Sequence, residues 1–235
     1  MRRIGNDKSA SILRDKLEIT LLMRASGIAV ARTLWNEIGM MVPPFPPGVS
    51  AVPEPIEGTA FFPGGLGLWM EEPDRECDVP VGGCMVVGQD FNTVATYERA
   101  LQNRSEIGAS PTWQVLRRLL ARFNIRPESC FYTNAYMGLR VTGPETGRFC
   151  GARDKDFVNR CAIFFSRQLA VTRPKLILML GMEPLRMLGP RVFGIKAPRT
   201  LMACDNFYRC GHGDYWIVCG RIIGYCRITA IRGLR

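Results

Sequence analysis

Three short apolar runs between residues 84 and 181 predict buried strands. They are CMVVGQD at residues 84–90, CFYTNAYM at 130–137 and KLILMLG at 175–181. Unbroken apolar character is typical of strands that are covered on both faces of a parallel sheet. A fourth run, CRITAI at 226–231, predicts the last strand.

Helical spacing of apolar residues separates these runs. Residues 110–125 predict a helix that begins at the cap Ser110 with Pro111 in its first turn, and residues 154–173 predict a second long helix. Residues 182–189 predict a short third helix. Because strands and helices alternate, we predict an α/β fold: a three-layer α/β/α sandwich with a small, mainly parallel four-stranded central sheet.

The beginning of the chain differs in character from the rest. Residues 11–40 carry apolar positions at helical spacing, whereas residues 40–58 contain six prolines. Proline excludes a helix interior and a central strand, so we expect an extended connector across the surface. The prediction is an N-terminal helical extension with a proline-rich connector at residues 1–80 and an α/β domain at residues 81–235.

The charge of the chain suggests a class of partner. There are 31 basic and 21 acidic residues, a net charge of +10, and 26 of the basic residues are arginine. Arginine matches phosphate oxygens and stacks on bases, which favours a polyanionic partner such as nucleic acid. A basic surface in a protein from an arginine-rich genome explains the same composition equally well.

No feature of the sequence indicates a membrane. No run reaches the roughly 20 apolar residues that a transmembrane helix needs, and the basic start lacks the apolar core of a signal peptide. We therefore expect a protein of the cytoplasm, in the bacterial cytosol or nucleoid, with no membrane partner.

The nine cysteines contain no CxxC pair. This spacing argues against a zinc ribbon and against a disulfide framework. We expect reduced core thiols and no metal, and the alternative is a metal site assembled from cysteines that are distant in the sequence.

Polar residues or glycines interrupt the three predicted parallel strands near their ends. They are Asp90 in the first, Asn134 in the second and Gly181 in the third. Ligands of open α/β sheets bind at the carboxyl edge of the strands. We therefore expect these three residues to line one crevice.

These residues resemble motifs of the uracil-DNA glycosylase superfamily. VVGQDFN at residues 86–92 is similar to the first motif, in which a strand ends at the loop that holds the water-activating residue. CFYTNAYM is similar to the second strand, whose terminal asparagine reads the uracil edge. RQLAVTRPKLILMLGMEPLRML at 167–188 is similar to the segment around the third strand. The resemblance covers roughly residues 84–190.

The resemblance implies an enzyme of DNA base-excision repair. It would flip a uracil, or another deaminated base, out of the DNA and hydrolyse its N-glycosidic bond, acting as a monomer without a cofactor. Asp90 would then position water. The N–H groups at Gln89 and its neighbour Gly88 would donate hydrogen bonds to the base, on which negative charge grows. Asn134 offers a donor and an acceptor that match uracil, whereas cytosine presents the reverse pattern. From local sequence alone, Asp90 is equally well a helix cap and Asn134 a turn residue.

The resemblance also implies an aromatic platform for the base and contacts to DNA phosphates. Phe91 is our candidate platform, and a core position under the loop is an equally good interpretation. Ser110 and Gly181 each precede a predicted helix, where N–H groups favour anions. Met182 follows Gly181 where the family often has serine, which weakens that assignment.

One family motif, a His-Pro-Ser loop after the last strand, is absent. The single histidine, His212, lies before the predicted last strand and is either a catalytic group or a structural residue. Arg232 lies nearest to the position of the missing histidine and is a candidate DNA contact, as is Leu234, which could fill the emptied base stack. Either Asp90 and backbone donors carry catalysis, or the enzyme is slow.

The departures from the family leave other functions open. Cys161 matches one cysteine of the iron-sulfur members, but Gly138 stands in the place of its partner, so no cluster is expected. The main alternative is a catalytically silent module that binds DNA or uracil with the same fold. An unrelated hydrolase lacks support because the chain has neither a GxSxG elbow nor a P-loop.

Overall fold

A computed structural model describes residues 34, 36–53, 80–103, 111–195, 207–209 and 216–220. Its strands are β1 (Val49–Ser50), β2 (Cys84–Gly88), β3 (Cys130–Asn134), β4 (Leu139–Arg140), β5 (Leu176–Leu180), β6 (Phe207–Arg209) and β7 (Trp216–Gly220). The helices that position the site are α1 (Val94–Asn103), α2 (Pro111–Arg122), α3 (Lys155–Thr172) and α4 (Met182–Leu188).

The main sheet has the strand order β3-β2-β5-β7-β6. The first four strands are parallel, and β6 is antiparallel to β7 at one edge. Strands β1 and β4 form a separate antiparallel pair. The alternation of helices with mainly parallel strands confirms the α/β prediction and the three strands predicted between residues 84 and 181.

The prediction of four strands is wrong in one respect, because the described sheet has five. The fourth parallel position, next to β5, is occupied by Trp216–Gly220, a run that the sequence analysis did not select. Both WIVCG and the predicted CRITAI are short apolar runs, and local pattern alone does not rank them. Residues 226–231 lie outside the described residues.

Each face of the sheet is covered by a hydrophobic cluster. On one face the inner stripe of α2, formed by Trp113, Leu116 and Leu120, packs against residues of β2 and β3 such as Val86 and Tyr132. The other face carries the larger cluster, to which α1, α3 and α4 contribute. Alternation of side chains along the strands explains this division, since successive residues point to opposite faces.

Helix α3 is capped at both ends. The side chain of Asp154 accepts a hydrogen bond from Phe157 N at 2.8 Å, which satisfies one of the free N–H groups of the first turn. Arg173 follows the helix in the left-handed region at φ 41° and donates from its backbone N–H to Leu169 O. The observed helix therefore agrees with the predicted range of 154–173.

The described part of the proline-rich segment packs into the core and does not only cross the surface. Val42, Val49 and Val52 belong to the larger cluster. The guanidinium of Arg160 donates to the carbonyls of Val42 at 2.8 Å and Pro44 at 2.6 Å. Residues 34–53 are thus tied to the α/β domain, and the domain boundary near residue 80 stays a prediction.

Gly138 explains how the N-terminal segment approaches the sheet. A Cβ atom at this position would lie 2.5 Å from Val49 Cγ1 and 3.3 Å from Ser50 O. Strand β1 therefore occupies the space that any side chain would need, including the cysteine of an iron-sulfur site.

We expect Gly138→Ala to lower the free energy of unfolding by about 1–3 kcal/mol, because the new methyl group must displace β1. Urea denaturation measures the change. Gly39→Ala is the matched control, since nothing lies within 4 Å of a Cβ there. Equal stability of Gly138→Ala and the wild type would contradict this packing.

Among the described residues, no helix combines the length and the apolar character needed to cross a membrane.

Candidate functional site

The ends of β2 and β3 lie side by side at the carboxyl edge of the sheet. Gly88 and Asn134 are register partners. The pairing continues past the strands, because Ala135 N donates to Gly88 O and Tyr136 N to Gln89 O, both at 2.9 Å. The predicted convergence of the two motifs at one sheet edge is therefore present in the fold.

The side chain of Asn134 is buried and has no hydrogen-bond partner among the described residues. Its side chain is 0 % exposed, and neither Oδ1 nor Nδ2 has a partner among the described residues. A buried polar group in that condition costs about 1–3 kcal/mol, so such groups are rare in folded proteins. An unsatisfied carboxamide at the ligand edge of a sheet indicates a site for a molecule with one donor and one acceptor.

Asp90 forms a buried ion pair with Arg140, a partner that the sequence analysis missed. Arg140 Nη2 lies 2.7 Å from Asp90 Oδ2 and Nε lies 3.2 Å from Oδ1, and both side chains are about 95 % buried. Oδ1 also accepts from Asn92 N at 2.8 Å. Asp90 was expected to position a water molecule. Most of its lone pairs instead accept hydrogen bonds from protein groups, which leaves fewer for water.

Arg140 also organises the loop at residues 141–148. Its Nη1 donates to Pro144 O and Thr146 O, and its Nη2 donates to Gly147 O. Burial lowers the pKa of Arg140, but the hydrogen bonds and charge of Asp90 more than offset burial, so the pKa is raised. The guanidinium is therefore charged, and it joins the Asp90 loop to the loop after β4.

Gln89 makes a second connection to the same loop. Its Nε2 donates to Gly147 O at 2.8 Å. The backbone carbonyl of Gln89 accepts from Tyr136 N at 2.9 Å. The loops that follow β2 and β4 are held together beside Asn134.

Two stacked aromatic rings lie beside Arg140, which binds the loop at residues 141–148. Tyr136 stacks on Phe149 with ring centroids 4.8 Å apart, and the guanidinium carbon of Arg140 lies 5.7 Å from the Phe149 ring centre. Burial, with a smaller contribution from Glu183, raises the pKa of Tyr136 to about 12. Tyr136 is therefore neutral over the ordinary pH range and serves to pack the loop.

The structure describes the surroundings of Phe91, the candidate platform for the base, and of Gly181, the candidate phosphate contact. Phe91 is 8 % exposed and belongs to the larger hydrophobic cluster, which agrees with the core interpretation. Gly181 precedes α4 with φ 90°, a conformation that favours glycine. The glycine is thus explained by the turn itself.

Four predicted site residues lie outside the described residues. They are Ser110, His212, Arg232 and Leu234. Their roles as phosphate contact, catalytic group, DNA contact and wedge stay predictions.

The described cysteines differ in accessibility. Cys84, Cys130 and Cys161 are buried, and Cys150 is exposed. Burial raises the pKa of Cys161 to about 12, although a hydrogen bond from Met137 N opposes this shift. Within the described ranges, no group of three or more His, Cys, Asp or Glu side chains could hold a metal ion.

We expect iodoacetamide at mild alkaline pH to modify Cys150 and to leave Cys161 intact, since the thiolate is the reactive form. Peptide mapping by mass spectrometry measures each site, and the urea-unfolded chain, in which both react, is the control. Equal rates at the two cysteines in the folded protein would count against the buried position of Cys161.

Comparison with known proteins adds no family to this geometry. No family model matches the chain, and no curated protein matches it.

Proposed function

We propose that this protein is a glycosylase that removes uracil from DNA by hydrolysing the N-glycosidic bond. The observation that carries the proposal is the buried carboxamide of Asn134 at the carboxyl edge of the sheet, which has no hydrogen-bond partner among the described residues. The residue resemblance and the net charge of +10 support DNA as the substrate. The finer form of the proposal is a monomeric enzyme with a uracil-DNA glycosylase-like three-layer fold, acting in the cytoplasm.

Asn134 supplies the selectivity in this proposal. Its Oδ1 accepts from uracil N3–H and its Nδ2 donates to uracil O4. Cytosine carries an acceptor at N3 and a donor at C4. Its acceptor would therefore face the acceptor Oδ1 of Asn134, and its donor would face the donor Nδ2. Mismatches of this kind discriminate strongly between substrates, because the polar groups are left unpaired in a dry site.

Asp90 supplies the negative charge for hydrolysis, and Arg140 fixes its position. An ionised carboxylate has about four lone-pair positions, of which the hydrogen bonds from Asn92 N, Arg140 Nε and Arg140 Nη2 use three. The remaining position on Oδ2 can hold the attacking water, while the charge offsets the positive sugar in the transition state. Backbone N–H groups of the loop after β2 would donate hydrogen bonds to the departing base, on which negative charge grows.

The Asp90–Arg140 pair favours a second candidate function. A carboxylate whose charge is offset by a buried guanidinium is a poorer counter-ion for the positive sugar. The second candidate is therefore a binding module that holds an extruded uracil through Asn134 but does not cleave.

One assay separates these functions. The protein is incubated under single-turnover conditions with a duplex that contains one uracil, and alkali-labile sites are measured. Binding is measured in parallel against the same duplex with cytosine in place of uracil. Cleavage supports the glycosylase; tighter binding to the uracil duplex without cleavage supports the silent module; neither cleavage nor preference removes both.

A further inference from the structure

The outward face of α2 is strongly basic. Arg117, Arg118 and Arg122 lie on this helix, and Arg126 follows it. All four are exposed, and the sequence from residue 111 to residue 126 contains no acidic residue. We call these four arginines the basic face.

The contact between α2 and the sheet does not involve Arg118 or Arg122, and Arg118 Nε donates to Gln114 O of its own helix at 3.2 Å. The inner stripe of α2 makes the contact with the sheet, and Arg118 and Arg122 lie on the opposite side of the helix, one turn apart. Like charges at this spacing repel each other and weaken the helix. Arg122 in the last turn interacts favourably with the helix dipole, but this effect falls off before Arg118.

The chemistry of the basic face fits nucleic acid better than a membrane surface. A helix that binds in a membrane interface inserts its apolar side among the lipids. The apolar side of α2 is buried against β2 and β3. What remains outside is a row of guanidinium groups, which match phosphate oxygens in pairs of N–H donors.

The basic face and the candidate site lie toward opposite edges of the sheet. The helix leads through a short segment into the start of β3, so its last turn lies at the amino edge of the sheet. Arg122 is in this last turn and Arg126 follows it, whereas Asn134 ends β3 at the carboxyl edge. Nucleic acid on the basic face would therefore be bound outside the candidate site.

We propose that the basic face binds the sugar–phosphate backbone of DNA outside the candidate site. The proposal rests on the proposed function for the identity of the polyanion. It gives α2 a second role, in which its inner side supports the sheet and its outer side holds DNA phosphates. This contact is independent of base sequence, because only phosphates are read.

The test measures binding to a short duplex without uracil. The variant is Arg118→Gln/Arg122→Gln, and the matched control is Arg173→Gln/Lys175→Gln, which removes the same charge from exposed positions just before β5. Each phosphate contact contributes about 0.9 to the slope of log K against log salt. We expect the slope to fall by about 2 in the variant and to stay unchanged in the control.

A second variant separates binding from folding. Arg118→Glu creates an acidic residue one turn before Arg122, an arrangement that supports the helix. We expect an unchanged or higher Tm together with weaker binding to the duplex. Three results would each overturn the proposal. The salt slope could stay unchanged in the double variant, or it could fall equally in the control. The double variant could also lose affinity for anionic lipid vesicles to the same extent as for the duplex.

The outcome is distinguishable from failure of the proposed function. Binding to the undamaged duplex does not depend on excision of uracil. If the wild type cleaves nothing but its salt slope falls in the double variant, the basic face stands and the glycosylase does not. If the wild type excises uracil and the double variant keeps the full slope, the glycosylase stands and the basic face does not.

Discussion

Replacing Asn134 with leucine is expected to reduce excision of uracil by at least about 100-fold without lowering the stability of the protein. The carboxamide is fully buried, and both of its polar atoms lack partners among the described residues. Leucine has a similar size and carries no polar atom, so it removes the desolvation cost together with the base contacts. The free energy of unfolding, from urea denaturation, should be unchanged or higher.

Gln168 provides a matched control for this experiment. It is another fully buried amide, and its Oε1 accepts from Thr133 Oγ1 at 2.6 Å, while its Nε2 has no partner among the described residues. Thr133 precedes Asn134 in β3 and therefore points to the opposite face of the sheet. Gln168→Met should change stability by no more than about 1 kcal/mol, because the lost hydrogen bond and the removal of the unpartnered Nε2 have opposite effects, while excision continues at the wild-type rate.

Two results would contradict the assignment of Asn134. One is uracil excision by Asn134→Leu at a rate close to that of the wild type. The other is a loss of stability larger than that of Gln168→Met, which would mean that the carboxamide is a satisfied structural group. A gain or constancy of stability together with lost excision is the signature of a residue kept for its ligand.

Replacing Arg140 with methionine is expected to lower the free energy of unfolding by about 3–5 kcal/mol. The substitution leaves the Asp90 carboxylate buried without its counter-ion. It also removes the donors to the loop carbonyls of Pro144, Thr146 and Gly147. Urea denaturation of both proteins measures the difference.

A double-mutant cycle separates the ion pair from the loop contacts. Asp90→Leu removes the charge that Arg140→Met leaves behind, so the double variant should be more stable than the sum of the single effects predicts. Arg167→Met is the control, because its ion pair with Glu37 lies at an exposed guanidinium and such pairs contribute about 0–1 kcal/mol. Strict additivity across Asp90 and Arg140 would show that the two side chains do not interact.

The Asp90–Arg140 pair marks the limit of reasoning from this sequence. The two residues are 50 positions apart, and nothing in the local pattern around Asp90 specifies its partner. One signal was present, since Arg140 follows the apolar residues after β3 and an acid buried at a sheet edge needs a cation. Without the fold, that arginine is one among 26 in the chain.

The sequence by itself determined the elements whose pattern is local. Unbroken apolar runs marked β2, β3 and β5, and apolar residues at helical spacing marked α3, because burial on both faces of a strand and along one stripe of a helix impose their own residue types. It also placed Asn134 at the sheet edge, since strands in the same direction end on the same side.

Only the tertiary structure decided which distant groups meet. It selected Trp216–Gly220 as the strand beside β5, packed residues of the proline-rich segment into the core, and paired Asp90 with Arg140. The physical reason is the same in each case. The local sequence determines which groups a segment can bury or hydrogen-bond. Its partner depends on contacts between segments that are far apart in the chain.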